Sequence, residues 1–213
     1  MKHVIFDFDG TLVDSLPLAV SIAGQMVPGL DLSDQELAKF REMPAREIIK
    51  YSGVPYWQLL RLMIKGKKLL GARLDELKAF PGMDAVVKTL HDQGFQISVV
   101  SSNSEDNIRK VLGREKIEQY VDRVYGNVGL FSKSRVFKVV LKDQKAKVND
   151  AIYIGDEVRD IEAAHKSRIA VVAVTWGYNG ETILKKYQPD YVAHTPKELV
   201  TILTKQAFGG DQG

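Results

Sequence analysis

The chain of 213 residues contains no cysteine and no long apolar segment. The lack of cysteine excludes disulfide bonds, cysteine nucleophiles and thiolate metal sites, and it fits a reducing compartment. No apolar run approaches the roughly 18 residues that a membrane-spanning helix needs. No basic leader followed by an apolar stretch indicates a signal peptide either. We therefore expect a cytoplasmic protein that does not associate with a membrane.

Charge of one sign is also not concentrated anywhere in the chain. The 30 lysine and arginine residues are scattered and nearly matched by 27 acidic residues, which gives a net charge of +3. So small an excess does not predict nucleic-acid binding, and none is expected. The short basic run Lys65-Gly66-Lys67-Lys68 is interpreted as the solvated end of a helix.

The most distinctive segment is an apolar run that stops at two carboxylates. Val4 to Phe6 is typical of a buried parallel strand, and Asp7 and Asp9 follow it directly. Ligands of open α/β sheets bind beyond the carboxyl ends of strands. Two neighbouring carboxylates repel each other unless a cation or a shared proton is present. The segment therefore predicts a site for Mg²⁺, which prefers hard oxygen ligands.

Two other interpretations compete for the same segment. Aspartate and glycine are common in turns, so the two carboxylates could belong to an ordinary polar turn. A calcium-binding loop also begins Asp-x-Asp, but its glycine and its bidentate glutamate would fall on Leu12 and Leu18. This spacing excludes the calcium loop, whereas the polar turn stays open on this segment alone.

The remainder of the chain predicts an α/β fold with a helical insertion. Strand-like and helix-like segments alternate after residue 80, which indicates a doubly wound parallel sheet with helices on its faces. Residues 15 to about 80 lack strand-like runs and are typical of several short helices. Strands are expected at 95–100, 123–125, 151–154, 169–174 and 190–192, and helices at 83–93, 103–112, 134–142, 157–166 and 196–205.

Three later segments place polar residues where strands end or helices begin. They are Phe95–Asn103, which contains Ser101; Phe131–Arg135, which contains Lys133; and Ala151–Asp160, which contains Asp156. Together with the opening Asp-Phe-Asp-Gly-Thr-Leu-Val-Asp-Ser, they resemble the four ordered motifs of the haloacid dehalogenase superfamily of phosphotransferases. The resemblance extends from about residue 2 to about residue 177.

This resemblance implies a Rossmann-like core with an inserted type 1 helical cap, as in the phosphoglycolate phosphatase and β-phosphoglucomutase-like group. The core would comprise residues 1–14 and 81–208, the cap residues 15–80, and a flexible tail residues 209–213. Pro44-Ala45-Arg46-Glu47 resembles the cap loop of that group, although Met43 stands where the group usually has glycine. Arg46 would then bind a distal anionic group of the substrate, and an ordinary surface arginine is the alternative.

The resemblance also implies roles for the four aspartates. Asp7 would be the nucleophile that forms an aspartyl-phosphate, and Asp9 the general acid and base. Mg²⁺ would be held by the Asp7 carboxylate, the Asp9 carbonyl and Asp156, while Asp160 would orient a metal-bound water. Capping of the following helix is the alternative role for Asp156.

The phosphoryl group would be held mainly by donors near the strand ends. Ser101 would donate its hydroxyl, although a helix cap is the alternative role for this residue. Backbone N–H groups of Phe8, Asp9 and Ser102 would also donate. Asn103, the last residue of the same motif, is expected to contact the substrate as well.

A lysine is expected to complete the site. Lys133 would pair with the phosphate and with Asp7 as a compact positive charge, because it lies just before a predicted helix. Lys138 and Lys142 are rivals, but both lie further into that helix, where an exposed face explains them.

The sequence thus predicts a Mg²⁺-dependent phosphatase that acts on a small phosphorylated metabolite and exists as a monomer or homodimer. Two alternatives stay open. A phosphomutase of the β-phosphoglucomutase type would use the same aspartates but return the phosphoryl group to a sugar phosphate. A phosphate-binding regulatory protein without turnover would keep only the fold.

Overall fold

The computed structural model describes residues 2–27, 29–51, 53–54, 56–129 and 132–208. The strands are β1 (His3–Phe6), β2 (Val13–Asp14), β3 (Lys78–Ala79), β4 (Gln96–Val100), β5 (Arg123–Tyr125), β6 (Ala151–Gly155), β7 (Ala170–Val174) and β8 (Tyr191–Ala193). The helices are α1 (Leu16–Met26), α2 (Asp34–Arg41), α3 (Ala45–Tyr51), α4 (Tyr56–Ala72), α5 (Met83–Asp92), α6 (Glu105–Arg114), α7 (Lys133–Asp143), α8 (Val158–Ser167), α9 (Glu181–Lys186) and α10 (Pro196–Thr201). None of these described helices has the length and apolar character needed to cross a membrane.

The central element of the fold is a parallel sheet in the strand order β5-β4-β1-β6-β7-β8. β1 pairs with β4 on one side, where Phe6 lies opposite Val99, and with β6 on the other, where Phe6 lies opposite Ile154. The order reverses at β1, and such a reversal opens a crevice at the carboxyl ends of the strands. The predicted α/β, doubly wound architecture is therefore confirmed.

Both faces of the sheet are buried, which explains why its strands are almost entirely apolar. Alternate side chains of a strand point to opposite faces. Accordingly, Val4 and Phe6 pack into one apolar cluster, whereas Ile5 packs into the other. Helices α5, α6 and α10 contribute to the first cluster, and α7, α8 and α9 contribute to the second.

Helices α1 to α4 form the insertion that the sequence predicts between the first strand and the remainder of the core. Helix α1 packs against α4. A short antiparallel ladder of β2 and β3, with Val13 opposite Ala79, joins the two connections of the insertion to the core. The sequence does not predict this ladder, because two residues per strand are too few to show a period. The division into cap and core at residues 15 and 80 stays a prediction.

Three helices differ from the sequence prediction. Helix α6 begins at Glu105 rather than at residue 103, and its cap is Ser104, whose hydroxyl accepts a hydrogen bond from the N–H of Asn107. Lys133 is the first residue of α7 and not part of the preceding loop. Helix α9 is an addition in a region that the sequence indicates only as a loop.

Some predicted features lie outside the described residues. These are Phe131, the tail 209–213, and Pro55, which the sequence favours as the opening residue of a helix. The side chains of the apolar residues expected on that helix, Trp57, Leu59, Leu60 and Met63, also lie outside the description.

Candidate active site

The carboxyl ends of the three central strands bring the motif residues together. β1 leads into Asp7, β4 into Ser101 and β6 into Asp156, and the parallel registers place all three at one edge of the sheet. The N–H of Asp7 donates to the carbonyl of Ile154 at 2.8 Å, so the pairing extends one residue beyond β1. The site thus lies at the position that the strand order favours for a ligand.

Three aspartates form a buried carboxylate cluster at this edge. One oxygen from each of Asp7, Asp156 and Asp160 lies within 4.8 Å of the others, and the side chains are buried. Asp160 reaches the cluster because it lies in the first turn of α8, immediately after β6. Its Oδ2 also accepts a hydrogen bond of 3.0 Å from the N–H of Glu157.

A buried lysine neutralises part of this negative charge. Lys133 Nζ lies 2.5 Å from Asp7 Oδ2 and 2.5 Å from Asp160 Oδ1. It also donates to the hydroxyl of Tyr153 at 2.8 Å. Burial lowers the pKa of Lys133, but the carboxylates of Asp160 and Asp7 outweigh that effect and hold the pKa above its ordinary value. The structure therefore places Lys133 in contact with Asp7, whereas Lys138 is exposed on α7.

The Asp156 carboxylate is held in a tight cradle. Its Oδ1 accepts a hydrogen bond from Thr11 Oγ1, and its Oδ2 accepts one from the N–H of Tyr178, each at 2.7 Å. A Cβ at Gly10 would lie 2.2 Å from Oδ2, so only glycine fits against this carboxylate. The alternative role of Asp156 as a helix cap is wrong, because Glu157 is the N-cap residue of α8.

The cluster fits a magnesium ion by the chemistry of its donors. Mg²⁺ is held in proteins by a small number of carboxylates together with water and phosphate oxygens. Asp7, Asp156 and Asp160 supply such a set in a buried pocket, and mutual repulsion of their charges favours a bound cation. The carboxylate of Asp9 does not belong to the set.

Burial and crowding change the proton affinity of the cluster. Burial raises the pKa of Asp7 from 3.8 to about 7, against the opposing effect of Lys133. Burial and the nearby charges of Glu157 and Asp160 raise the pKa of Asp156 well above its ordinary value. In the metal-free protein these carboxyls therefore compete with protons at pH values where an exposed aspartate is fully ionised.

We expect Asp7 to destabilise the metal-free protein as the pH rises. An unfolded chain releases this proton near 3.8, whereas the folded protein keeps it up to about 7. Because the folded state binds more protons in that interval, its stability falls as the pH rises through it. With a chelator present, the unfolding free energy of Asp7→Asn relative to the native protein should increase between about pH 5 and about pH 8, by an amount of the order of a few kcal/mol. A difference that stays constant across this range would contradict the assignment.

Asp9 lies beside the cluster and contacts a different group. Its Oδ2 accepts a hydrogen bond of 3.5 Å from the hydroxyl of Ser101, which is itself buried. Burial raises the pKa of Asp9, while the hydroxyl of Ser15 opposes the shift. The two carboxylates Asp7 and Asp9 would share a face in a regular strand, but β1 ends at Phe6 and Asp9 lies in the turn beyond it, so they do not.

The other predicted substrate contacts lie at the same edge of the sheet. The N–H of Phe8 donates to Asp7 Oδ1 at 2.8 Å, so this donor orients the carboxylate. The N–H of Asn103 donates to Ser101 Oγ at 3.0 Å. The side chain of Asn103 is buried, and its Nδ2 has no hydrogen-bond partner within the described part of the chain. Ser102 is half-buried, and its carbonyl accepts a hydrogen bond of 2.9 Å from Lys67 Nζ.

Arg46 is not brought together with these residues. Its guanidinium is half-exposed, and Nη2 lies 3.0 Å from the hydroxyl of Tyr187 and 3.3 Å from Glu162 Oε1. These partners belong to the region around α8 and α9, so Arg46 joins the insertion to the core. Its predicted role in substrate binding stays a prediction.

Two cations near the site were missed by the sequence analysis. Arg159 is largely buried beside the cluster, where its Nη2 contacts Glu157 Oε1. Its place in the sequence, between Asp156 and Asp160 of the last motif, was the feature that could have indicated a position near the site. Lys67 belongs to the basic run that was interpreted as a solvated helix end, but its Nζ reaches across from α4 to the carbonyl of Ser102. No sequence pattern distinguishes it from Lys65 or Lys68.

Two of the clefts that the described residues form lie between the insertion and the core. The larger, of about 600 Å³, is bounded by α1, α2 and α3 and by the loop after β7. The smaller, of about 420 Å³, lies between α1 and α4 and reaches Ser102 and Arg159. Both clefts are of a size that accommodates small ligands.

Comparison with known proteins agrees with this fold. Residues 4–174 match the family model of the haloacid dehalogenase-like hydrolases. The phosphoglycolate phosphatase of Synechococcus elongatus is 35% identical over 208 residues, which cover 96% of this chain and 98% of the relative. A pyrophosphatase PpaX of Listeria monocytogenes is 24% identical, with 94% and 95% of the two chains covered. The crystal structure of a predicted phosphatase from Clostridium acetobutylicum superposes with a TM-score of 0.82 at 24% identity, covering 96% of this chain and 98% of that chain.

The chain therefore belongs to the haloacid dehalogenase-like hydrolase family, as its motifs predict. Within that family it is a phosphatase, and small phosphorylated compounds are the substrates of its relatives.

Proposed function

We propose that the protein is a Mg²⁺-dependent phosphatase that hydrolyses a small phosphorylated metabolite through an aspartyl-phosphate on Asp7. The observation that supports this most strongly is the contact of Lys133 with Asp7 and Asp160 inside a buried carboxylate cluster. Burying three carboxylates and an ammonium costs free energy, and such groups at the edge where ligands bind are typical of a functional site. We take residues 15–80 as the cap that covers this edge.

Asp7 is the nucleophile in this mechanism. One of its carboxylate oxygens attacks phosphorus, and the bond between phosphorus and the ester oxygen breaks. The N–H of Phe8 holds Oδ1, and Lys133 holds Oδ2, so the carboxylate has a fixed orientation. The ammonium of Lys133 also compensates the charge of the incoming phosphate, which would otherwise be repelled by the aspartates.

Asp9 transfers the protons. Burial keeps its pKa above the ordinary value, which suits a carboxyl that first protonates the leaving oxygen. The same carboxylate then accepts a proton from the water that attacks the aspartyl-phosphate, and inorganic phosphate leaves. Ser101 contacts Asp9 through its hydroxyl and can turn the same group toward a phosphoryl oxygen.

Magnesium would be held by the carboxylates of Asp7 and Asp156 and by the carbonyl of Asp9, and Asp160 would orient a water bound to it. When bound, the ion neutralises charge on the phosphoryl oxygens.

The relatives suggest the kind of substrate. Phosphoglycolate and pyrophosphate, which give two of them their names, both carry a second anionic group beside the phosphoryl group that is removed. The relative with the higher identity acts on phosphoglycolate by its name, so we propose a phosphoglycolate phosphatase-like activity for this chain.

Phosphate release from a panel of phosphorylated metabolites tests this proposal. We expect release to require Mg²⁺ and to stop when a chelator is added, and we expect 2-phosphoglycolate to rank among the good substrates. Release that persists in chelator would contradict the metal requirement. Transfer of the phosphoryl group to a second sugar phosphate, with no net release, would favour a phosphomutase instead.

A further inference from the structure

The smaller cleft differs from the larger one in the charge of its walls. Its polar lining side chains are Lys67 on α4, Ser102 after β4 and Arg159 on α8, and no acidic side chain of the described chain lines it. Aliphatic residues of α1 and α4 form the remaining wall. The cleft therefore presents two cations next to the strand end that carries Ser101.

The larger cleft has the opposite character. Asp31, Glu36 and Glu157 line it together with one cation, Arg41. The Arg41 guanidinium is already bound to main-chain carbonyls, with Nη2 at 3.3 Å from the oxygen of Thr175. A negatively charged leaving group is therefore disfavoured in the larger cleft and favoured in the smaller one.

The catalytic cluster cannot itself provide charge for a second anion. The carboxylates in and around the cluster outnumber the cations that contact them. The carboxylates are Asp7, Asp156 and Asp160 of the cluster and their neighbours Asp9 and Glu157, and the cations are Lys133 and Arg159. A bound Mg²⁺ offsets only part of that excess, so a substrate with two anionic groups needs a cation beyond these two, and Lys67 lines the smaller cleft in addition to Arg159.

The Arg159 guanidinium has hydrogen-bond donors that are available to a ligand. Its Nη2 contacts Glu157, whereas Nε and Nη1 are buried and have no hydrogen-bond partner among the described residues. Buried donors without partners cost free energy, and an anionic group at this wall of the cleft would satisfy them. Guanidinium groups are well suited to carboxylate and phosphate oxygens.

Lys67 supplies the second cation of the smaller cleft. Its Nζ donates to the carbonyl of Ser102 at 2.9 Å, and its side chain is otherwise exposed. A neutral carbonyl is a weaker partner for an ammonium than a carboxylate or phosphate is. Because α4 belongs to the insertion, a ligand that binds Lys67 would also hold the insertion against the core.

We propose that Lys67 and Arg159 form the recognition site for a second anionic group on the substrate, a carboxylate or a phosphoryl group, in the cleft between α1 and α4. This inference rests on the proposed phosphatase function and specifies the substrate class of the same site. It assigns to the α4 side of the insertion the role that the sequence assigned to Arg46.

A pair of substrates in which a methyl group replaces the second anionic group tests the proposal. The ratio of kcat/KM for 2-phosphoglycolate to that for ethyl phosphate should fall by about tenfold or more in Lys67→Met, as expected for loss of a charged hydrogen bond. The matched control is Lys68→Met, the exposed neighbour on the same helix, whose ratio should stay within about twofold of the native value. Pyrophosphate, run in parallel, shows whether a phosphoryl group replaces the carboxylate.

A binding measurement separates this proposal from the proposed function. Calorimetric titration of the two esters into Asp7→Asn, with and without Lys67→Met, measures recognition without turnover. A preference for 2-phosphoglycolate that disappears with Lys67→Met supports the proposal even if no ester is hydrolysed. An unchanged preference, or an equal loss for both esters, would overturn it and leave Lys67 as a contact between insertion and core.

Discussion

Asp7→Asn is expected to abolish turnover while the fold is retained. The amide has the shape of the carboxylate but is a poor nucleophile, so kcat should fall by about 10⁴-fold or more. The folded protein should tolerate the change, because burial already raises the pKa of Asp7 to about 7 and a neutral group suits that environment. Phosphate release at saturating substrate and Mg²⁺, together with circular dichroism, measures both parts of this expectation.

Asp84→Asn is the matched control for this experiment. Asp84 is exposed in the first turn of α5 and belongs to no part of the site, so its variant should keep the native rate. If Asp7→Asn retained a rate within about tenfold of the native protein, Asp7 would not be the nucleophile, and the covalent mechanism would be refuted.

Lys133→Met is expected to have the second largest effect. The methionine fills a similar volume but removes the ammonium that contacts Asp7, Asp160 and the hydroxyl of Tyr153. Removal of one preorganised donor from a buried site lowers kcat by about 10²–10³-fold. Leaving buried carboxylates without their partner should also cost about 3–5 kcal/mol of stability.

The pH dependence of that stability loss identifies its cause. Without the ammonium the pKa of Asp7 should rise further above 7, so the variant should continue to lose stability as the pH rises above about 7, where the native protein no longer does. Lys138→Met, on the exposed face of α7, should change neither activity nor stability appreciably. Equal losses for the two lysines, or a larger loss for Lys138, would show that Lys133 has no special role.

The sequence could predict that the site residues lie close together, because the parallel sheet alone brings them to one edge. Apolar runs that end at Asp7, Ser101 and Asp156 must place those residues together if the strands are parallel and adjacent. The position of Asp160 follows from helical spacing after a strand. The contact of Lys133 with Asp7 followed from the motif order, whereas spacing alone could not select it over Lys138.

Other parts of the site were not predictable, because tertiary contacts decide them. The direction of the Arg159 side chain depends on its contact with Glu157, and that of Lys67 depends on the packing of α4 against the core. The sequence left open whether Arg46 binds the substrate or lies on the surface. Only the fold shows that its guanidinium contacts the hydroxyl of Tyr187. The ladder of β2 and β3 is too short for its pattern to be recognised.

Trapping the phosphorylated enzyme tests the central claim most directly. Asp9→Asn should form the aspartyl-phosphate from p-nitrophenyl phosphate, whose leaving group needs no acid, but should hydrolyse it slowly because the base is missing. Acid quenching followed by mass spectrometry of the peptides is expected to show one phosphoryl group on the peptide that contains Asp7. The double variant that combines Asp9→Asn with Asp7→Asn should show none. A burst of p-nitrophenol without any phosphorylated peptide, or a phosphoryl group on another residue, would contradict the account.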